Sequence, residues 1–444
     1  MASLAALPPL SRVVLGLIVL LGVGTGALLL PGMAAGDGLS WDQAVFMAAS
    51  ALSVTGLTVI TPAQDLTPAG QVVLLVLTQI GGIGFMVGAV AVFELLGQRF
   101  SLRNRLALTD SLGLLSPANI LRLTRRVLAG VLLIEGLGAV VLFFNWRAQL
   151  GEVRALYFAI FHSVSAFCNA GFDLFTSLPA YPTGIPTDAI TLMTLGALIL
   201  LGGLGIPVFA DLLNRRDHAR LSLHTRLTLW AIALLNIVGT LGFFAEEWVG
   251  GGVLRDEPLA RGLLLSAFQT ITTRTGGFWT MADPGALAPA TQLLMTAWMF
   301  VGGAPASMGG GITTGTAATL VIALAAYVRG RERAEIMGRS LSTETVRRAS
   351  AVLVISLTLV LVSTWLILLT HDVPASVALF EATSAFATTG LSLGLTTRLS
   401  LFGKLVLVGL MLWGRLGALT IIVALARPTR PALVGYPEEQ VLIG

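Results

Sequence analysis

Ser50-Ala-Leu-Ser-Val-Thr-Gly56 is the stretch that decides the fold, because the chain repeats its pattern three more times. Each copy is a short run of small or hydroxyl-bearing residues that ends in glycine and lies between two long apolar segments. The terminal glycines are 115, 105 and 114 residues apart. An internal repeat of this kind indicates the architecture before any single residue does. The other copies are Ser165-Ala-Phe-Cys-Asn-Ala-Gly171, Thr270-Ile-Thr-Thr-Arg-Thr-Gly276 and Ser384-Ala-Phe-Ala-Thr-Thr-Gly390.

A second glycine cluster follows each copy after 24 to 31 residues. Four matched pairs of this kind favour one repeated unit over four unrelated interfacial helices on an ordinary helical bundle. The clusters are Gly81-Gly82, Gly202-Gly203, Gly302-Gly303 and Gly414.

The composition is that of a membrane protein. Of 444 residues, 55% are hydrophobic and 11% are charged, and the mean hydropathy is +0.87. A soluble chain carries about 25% charged residues. The single cysteine, Cys168, excludes an intrachain disulfide and a cysteine-built metal site. We therefore expect no cofactor in this chain.

The apolar segments predict an all-α polytopic membrane protein. Spanning a bilayer takes about 20 apolar residues, and eight segments fit: 12–30, 70–97, 127–146, 189–213, 225–245, 289–328, 349–370 and 401–426. Between the members of each pair lies a stretch too short to cross: 41–51, 155–167, 259–271 and 374–386.

These segments predict four repeats of outer helix, re-entrant pore loop and inner helix (M1–pore loop–M2). Re-entrant backbone at membrane depth must be buried in protein or line a water-filled cavity. A pseudo-fourfold pore formed by all four repeats meets that requirement. The predicted bounds are 8–98, 120–215, 222–330 and 345–427, followed by a cytoplasmic tail, 428–444.

The positive charges indicate the orientation. Of 27 cationic residues, 19 lie in the loops 99–126, 215–226 and 329–348 or near the chain ends. With eight crossings these all fall on one side, which the positive-inside bias makes cytoplasmic together with both termini. Because the charges are distributed by membrane side, the net charge of +4 does not predict nucleic-acid binding.

The four strings predict a cation-selectivity filter. Rings of backbone carbonyls replace the hydration shell of a weakly hydrated cation, and glycine allows the required backbone conformations. We expect K+ to bind at these carbonyls. The candidate filter residues are Val54, Thr55, Gly56, Asn169, Ala170, Gly171, Arg274, Thr275, Gly276, Thr388, Thr389 and Gly390. Since a cation lining a K+ site would oppose it, we expect the Arg274 side chain to point away and pair with Glu381 or Asp173.

Residues 289–328 predict a broken helix. One helix of 40 residues would be about 60 Å long, twice the hydrocarbon thickness. Its centre contains six glycines and a proline within 302–315, which disfavour helix. We interpret this loop as a gate below the filter; a close-packed helix hinge is the alternative. The candidate gate residues are Gly302, Gly303, Ala304, Pro305, Ala306, Ser307, Met308, Gly309, Gly310, Gly311, Ile312, Thr313, Thr314, Gly315 and Arg415.

Arg415 lies in the middle of the last apolar segment, where an unpaired charge costs at least ~2.5–3.5 kcal/mol. We expect it to bind carbonyls of the 303–314 loop as a gate latch, or alternatively to pair with Glu94 or Asp211. We expect the Glu135 side chain to form a hydrogen bond between helices; a role in a proton relay is the alternative. His162 lies beside two serines, but the sequence shows neither an Asp partner nor the elbow of a hydrolase.

Three runs resemble one transporter superfamily. They are Thr-Thr-Arg-Thr-Gly-Gly-Phe at 272–278, Phe-Cys-Asn-Ala-Gly-Phe-Asp at 167–173 and the tail Tyr436-Pro-Glu-Glu-Gln-Val-Leu-Ile-Gly444. The chain resembles the K+ transporters that include TrkH, KtrB and the plant high-affinity transporters. Eight crossings resemble the KtrB type, which lacks two additional N-terminal helices of TrkH. Gly277 departs from the family pattern, in which alanine is expected at that position.

The resemblance implies a function and an assembly. It implies a K+-translocating subunit of a Ktr-type uptake system in the bacterial inner membrane, with Gly56 typical of K+-selective members. It also implies the gating role of the 302–315 loop, a homodimer, and a cytosolic KtrA-type regulatory ring that binds ATP or ADP. Na+ is a candidate activator.

A secondary ion-coupled transporter is the alternative class, since discontinuous helices also produce glycine-rich breaks. Inverted repeats need an odd number of crossings per unit, whereas these repeats run in one direction. No residue set indicates an enzyme.

Overall fold

The computed structural model describes residues 9–36, 38–97, 117–181, 184–213, 221–281 and 283–417. Most of the arginine-rich loop 99–126, half of 215–226 and the tail 428–444 lie outside these ranges, so the predictions made for those residues lie outside the described residues. The same holds for the Glu94 side chain.

The described chain is mostly helical, as the composition predicts. The helices of the first half are α1 (Pro9–Leu28), α2 (Trp41–Ser53), α3 (Pro62–Asp65), α4 (Pro68–Gly97), α5 (Pro117–Leu150), α6 (Glu152–Phe167), α7 (Ala189–Gly202) and α8 (Ile206–Leu213). Those of the second half are α9 (Leu223–Phe244), α10 (Leu259–Thr275), α11 (Pro289–Phe300), α12 (Thr314–Val328), α13 (Thr343–Leu368), α14 (Ala375–Ala387) and α15 (Leu401–Leu416). A two-stranded hairpin, β1 (Glu335–Ile336) and β2 (Arg339–Ser340), joins α12 to α13.

Each quarter of the chain contains an outer helix, a short helix and an inner helix. The four outer helices are α1, α5, α9 and α13, and the four short helices are α2, α6, α10 and α14. The inner helices are α4, the α7–α8 pair, the α11–α12 pair and α15. The short helices match the four predicted re-entrant stretches to within a few residues.

Helix length alone accounts for part of the predicted membrane topology. Among the described residues, the spans Val127–Leu150, Leu223–Val249 and Thr343–Leu368 are long and apolar enough to cross a membrane. The pair Ala189–Gly202 and Ile206–Leu212, bent by 97°, would form a fourth span. Eight crossings stay a prediction that rests on the repeat pattern.

The short helices form the centre of the core, while the outer helices expose their apolar side chains. Phe46, Phe161, Phe268 and Phe380, one from each short helix, are buried. Leu132, Leu234 and Val354 on outer helices are more than half exposed. Water-exposed apolar surface of this extent is unfavourable, whereas lipid would cover it. This distribution brings the ends of the four short helices together in the interior.

Candidate functional site

The four glycine-tipped strings meet in a closed ring. A Cβ placed on Gly56 would lie 1.7 Å from the carbonyl oxygen of Ala170, in the next repeat. A Cβ on Gly171 would lie 2.7 Å from the carbonyl oxygen of Gly276. A Cβ on Gly277 would lie 2.5 Å from the carbonyl oxygen of Thr389, and one on Gly390 would lie 2.1 Å from that of Thr55. Each repeat therefore packs its glycine against the carbonyl of the following repeat, in the order 1–2–3–4–1.

The third string requires a correction of one residue. The glycine with a left-handed backbone is Gly277, with φ +75°, whereas Gly276 has φ −91°. Gly56, Gly171 and Gly390 have φ values of +85°, +70° and +89°. Gly276 supplies the carbonyl of the ring and not its glycine, so the prediction of Gly276 as the equivalent of Gly56 is wrong.

A sequence signal for this register was present. A buried apolar residue follows the ring glycine in every repeat: Leu57, Phe172, Phe278 and Leu391. Alignment of Gly277-Phe278 with Gly171-Phe172 places Gly277 in the ring. The glycine at 277, which the resemblance marks as a departure, occupies a position whose positive φ and close carbonyl contact favour glycine.

In three of the four strings, the residue two positions before the ring glycine has a left-handed backbone although it is not glycine. Val54, Asn169 and Thr388 have φ values of +57°, +61° and +50°. Such a conformation costs about 1–3 kcal/mol and persists only where the surroundings impose it. In the third repeat α10 stays helical through Thr275, so Arg274 and Thr275 belong to the helix. The third repeat therefore departs from the backbone conformation that the other three share.

In repeats 1, 2 and 4 the inner helix packs on the end of the short helix through the second glycine cluster. A Cβ on Gly81 would lie 2.1 Å from Leu52 O, one on Gly202 would lie 1.9 Å from Phe167 O, and one on Gly414 would lie 1.8 Å from Phe386 O. Each contact lies within one repeat. In these three repeats the pattern of string and glycine cluster has a shared physical cause, which is close backbone packing. In repeat 3 a Cβ on Gly302 would instead lie 1.8 Å from Gly310 O, further along the same chain segment.

The long apolar segment 289–328 is broken where the sequence predicts. Helix α11 ends at Phe300 and α12 begins at Thr314. The segment between them, 301–313, is non-helical and is called here the intramembrane loop. Its ends are joined by hydrogen bonds from Gly302 N to Ile312 O (2.9 Å) and from Ile312 N to Phe300 O (3.3 Å). Ala304, Ser307, Met308 and Ile312 are all buried.

A second break, which the sequence reasoning missed, supports this loop. The segment 189–213 is expected to be one helix, but it bends by 97° between α7 and α8. The intramembrane loop bonds to this bend through its backbone: Ala304 N to Gly203 O (2.9 Å), Met308 N to Gly202 O (3.0 Å), and Ile206 N to Ala306 O (3.1 Å). Three glycines within 202–205, followed by a proline, were the available signal.

Arg415 contacts the intramembrane loop as predicted. Its guanidinium is buried and donates to the carbonyl of Met308. It also donates to Gly81 O (2.9 Å) and Gly82 O (3.2 Å) on α4, which the sequence did not indicate. Of the alternative partners, the Asp211 carboxylate accepts a hydrogen bond from Ser222 N. Arg415 therefore links repeats 4, 3 and 1.

Arg274 does not bind either predicted carboxylate. It is buried and donates to Gly302 O at 2.8 Å. Glu381 is occupied by its own repeat, where it accepts from Ser392, Leu393, Leu395 and Thr396. Asp173 accepts from the backbone of Phe175 and Thr176 and contacts His162. Because α10 stays helical at Arg274, the guanidinium extends to the start of the intramembrane loop. The prediction that Arg274 pairs with Glu381 or Asp173 is therefore wrong.

The strings and the intramembrane loop touch directly. Gly310 N donates to the Thr388 hydroxyl at 2.9 Å. A Cβ on Gly309 would lie 2.5 Å from the Thr275 methyl group. The side chains of Asn169 and Thr275 are hydrogen bonded at 2.8 Å. The loop thus lies against the base of two strings, immediately next to the ring.

Two polar residues behind the ring have structural partners. Glu135 accepts both hydrogen bonds of the Gln79 amide, at 2.9 and 3.1 Å, which confirms the interhelical contact. His162 contacts Asp173 at 3.1 Å, so the expectation that it lacks an Asp partner is wrong. The hydroxyls of Ser163 and Ser165 donate to main-chain carbonyls, so neither serine approaches His162 as a nucleophile.

The chemistry of the ring is that of neutral oxygen ligands. The described residues contain no group of three or more His, Cys, Asp or Glu side chains that could hold a metal ion. The oxygens brought together are main-chain carbonyls and Thr hydroxyls. Such ligands suit a monovalent cation that must be dehydrated and later released.

Comparison with known proteins identifies the family. A family model described as a cation transport protein, TrkH, matches residues 17–431. The chain belongs to the TrkH family. The TrkH structure of Vibrio parahaemolyticus superposes with a TM-score of 0.73 over 94% of this chain and 84% of that one, at 21% identity. This likeness establishes the shared fold.

Three relatives match the chain over almost its full length. The chain is 35% identical to Ktr system potassium uptake protein B of Vibrio alginolyticus, with coverage of 92% of this chain and 89% of the relative. It is 33% identical to the potassium/sodium uptake protein NtpJ of Enterococcus hirae, with 99% and 98% covered. The match to Ktr system potassium uptake protein B of Bacillus subtilis is 33%, with 95% and 94% covered. The superfamily resemblance is confirmed, and the family is one of transporters and not of enzymes.

Proposed function

We propose that this TrkH-family chain is the K+-translocating subunit of a Ktr-type uptake system. The observation that carries the proposal is the closed ring of four glycine–carbonyl contacts. In the proposed pathway, the carbonyls of Thr55, Ala170, Gly276 and Thr389 replace the water shell of K+. The names of the relatives, which are potassium uptake proteins, support K+ as the transported ion.

The C-terminal ends of the short helices favour a cation at the ring. Each short helix ends within one to three residues of its ring carbonyl. A helix C-terminus carries about half a negative elementary charge. In this proposal four such ends attract K+ without a fixed carboxylate, so the ion binds reversibly.

The intramembrane loop acts as the gate in this proposal. It lies at the base of two strings, it is held by Arg415 and Thr388, and its glycines permit more than one backbone conformation. A guanidinium beside the pathway also opposes cation passage electrostatically. Displacement of the loop and release of Arg415 would open the pathway.

The proposed setting is a multi-pass protein of the bacterial inner membrane with eight crossings and cytoplasmic termini. It acts as a homodimer on a cytosolic nucleotide-binding ring, and Na+ is a candidate activator. The term "Ktr system" in the relatives' names supports a further subunit. Uptake that responds to ATP or ADP only when a KtrA-type subunit is added would support the assembly.

The decisive test is 86Rb+ uptake by vesicles that contain Gly56→Ser. A side chain at φ +85° is strained by about 1–2 kcal/mol. Its Cβ must also displace the Ala170 carbonyl by more than ~1 Å to reach an ordinary carbon–oxygen contact. We expect loss of discrimination between Rb+ and Na+. Gly136→Ser is the matched control, because nothing lies within 4 Å of a Cβ there. Unchanged discrimination in Gly56→Ser would remove Gly56 from the filter.

The same vesicles separate this proposal from a secondary transporter. A gated pore carries Rb+ down its gradient without an exchanged or co-transported ion. Obligatory dependence of uptake on a second ion gradient would favour the coupled transporter.

A further inference from the structure

One of the four contacts between neighbouring repeats lacks a chain connection. The polypeptide joins repeats 1 to 2, 2 to 3 and 3 to 4, so the seam between repeats 4 and 1 is closed by non-covalent contacts. At this seam α15 packs on α2, and Gly390 lies against Thr55 O. The ring stays closed only if this unlinked seam holds.

Polar contacts bridge three seams at a comparable position, where the start of an inner helix meets the short helix of the next repeat. At seam 1–2 the Tyr157 hydroxyl donates to Gln71 at 2.8 Å. At seam 2–3 Arg261 donates to Thr187 at 3.0 Å. At the unlinked seam Lys404 Nζ and Asp42 Oδ2 form an ion pair at 2.5 Å. Of these three contacts, the one at the unlinked seam is an ion pair between oppositely charged side chains.

Neighbouring contacts hold the Asp42 side chain and the start of the helix that carries Lys404. Lys404 is the single lysine of the chain, and it lies in the first turn of α15, whose N-cap Ser400 is held by His371. Asp42 lies in the first turn of α2, and its other oxygen accepts from the Ser40 hydroxyl at 2.6 Å. The side chains are 16% and 28% exposed, so solvent screens the pair only in part.

The pair acts on the ring through the rigidity of α2. This helix has 13 residues and a length of about 20 Å. Asp42 is at one end, and Val54 and Thr55 follow the other. A tilt of about 5° at the Asp42 end moves the far end of a helix of this length by about 2 Å, which is enough to separate the Thr55 carbonyl oxygen from Gly390, against which it packs.

We propose that Asp42 and Lys404 are positioning residues that hold the unlinked seam closed and thereby set the discrimination of the ring between K+ and Na+. This inference rests on the proposed function of the ring as a filter.

The test is a double-mutant cycle in full-length protein reconstituted in vesicles. The variants are Lys404→Met, Asp42→Asn, the double variant and the conservative Lys404→Arg. The readout is 86Rb+ uptake in competition with Na+, expressed as a discrimination ratio, together with the thermal midpoint of each purified protein. We expect each single variant to lower the ratio by up to about fivefold, the scale of a partly exposed ion pair. The discrimination ratio of the double variant should be no lower than that of the single variant with the lower ratio. Lys404→Arg should retain the ratio of wild type.

Tyr157→Phe is the matched control at a chain-linked seam. It removes one hydroxyl contact, and we expect a discrimination ratio equal to that of wild type. An equal loss in Tyr157→Phe would overturn the special role of the unlinked seam. A lower thermal midpoint with an unchanged ratio in Lys404→Met and Asp42→Asn would reduce the pair to a structural role and overturn the proposal.

Gly56→Ser distinguishes failure of the proposed filter from failure of the proposed role of Asp42 and Lys404. If Gly56→Ser lowers the ratio and the Asp42 and Lys404 variants do not, the filter stands and the positioning inference is wrong. If Gly56→Ser also leaves the ratio unchanged, the proposed filter itself fails.

Discussion

Arg415→Met gives the sharpest prediction about the proposed gate. Methionine keeps an unbranched apolar stem and removes the guanidinium, with its donations to Met308, Gly81 and Gly82. The bond to Met308 is the one of these that holds the intramembrane loop. The variant therefore removes the two bonds to α4 and one charge-assisted bond that holds the loop in its closed arrangement.

The magnitude follows from this single bond. A hydrogen bond to a charged group contributes about 1.5–3 kcal/mol, and each 1.4 kcal/mol is tenfold in an equilibrium constant. We expect the ratio of open to closed protein to rise by about 10–150-fold. Loss of the buried positive charge also lowers the electrostatic barrier to a cation, which acts in the same direction.

The assay is the initial rate of 86Rb+ uptake by vesicles without a regulatory subunit, at matched amounts of protein. Uptake by Arg415→Met should exceed that of wild type by this factor, up to the rate of the fully open pore. Arg415→Lys, which keeps the charge but loses the planar fork of donors, should lie between the two. Uptake equal to or below wild type in a normally folded Arg415→Met protein would refute the latch.

Three further predictions address the loop, the register and the seam. Deletion of 306–312 should raise Rb+ uptake, because it removes the centre of the proposed gate; unchanged uptake would contradict that role. Gly277→Ala should impair discrimination more than Gly276→Ala, since only Gly277 has a positive φ; equal effects would argue against the corrected register. The hydrogen bond from Lys404 holds the pKa of the Asp42 carboxyl below its ordinary value of 3.8. The Asp42–Lys404 pair therefore stabilises the folded protein at pH values above 3.8, and this stabilisation is lost as the pH falls through the lower pKa of the folded state. Wild type should therefore lose more thermal stability than Asp42→Asn on acidification below about pH 4.

Much of the architecture could be predicted because the repeat leaves a signal in the residues. Short apolar stretches that end at a glycine string become short helices, and the length of 289–328 forces a break. Arg415 was predictable for a related reason, since a charge in an apolar helix must find acceptors, and the flexible glycine loop supplies them.

The remainder depended on three-dimensional neighbours. The bend between α7 and α8 has a sequence signal, but its segment is short enough for one helix, so length did not require a break. The partner of Arg274 could not be inferred because it depends on one additional turn of α10. A main-chain carbonyl satisfies a buried guanidinium as well as a carboxylate does, and residue types alone do not distinguish the two.

The bend between α7 and α8 has a mechanical consequence for the intramembrane loop. Three main-chain hydrogen bonds join the two, so the loop cannot leave its position without either breaking them or taking the bend with it. Helices α8 and α12, which lead away from the bend and from the loop, are thus coupled. Displacement of either helix loads the same three hydrogen bonds, so repeats 2 and 3 are mechanically coupled at this point.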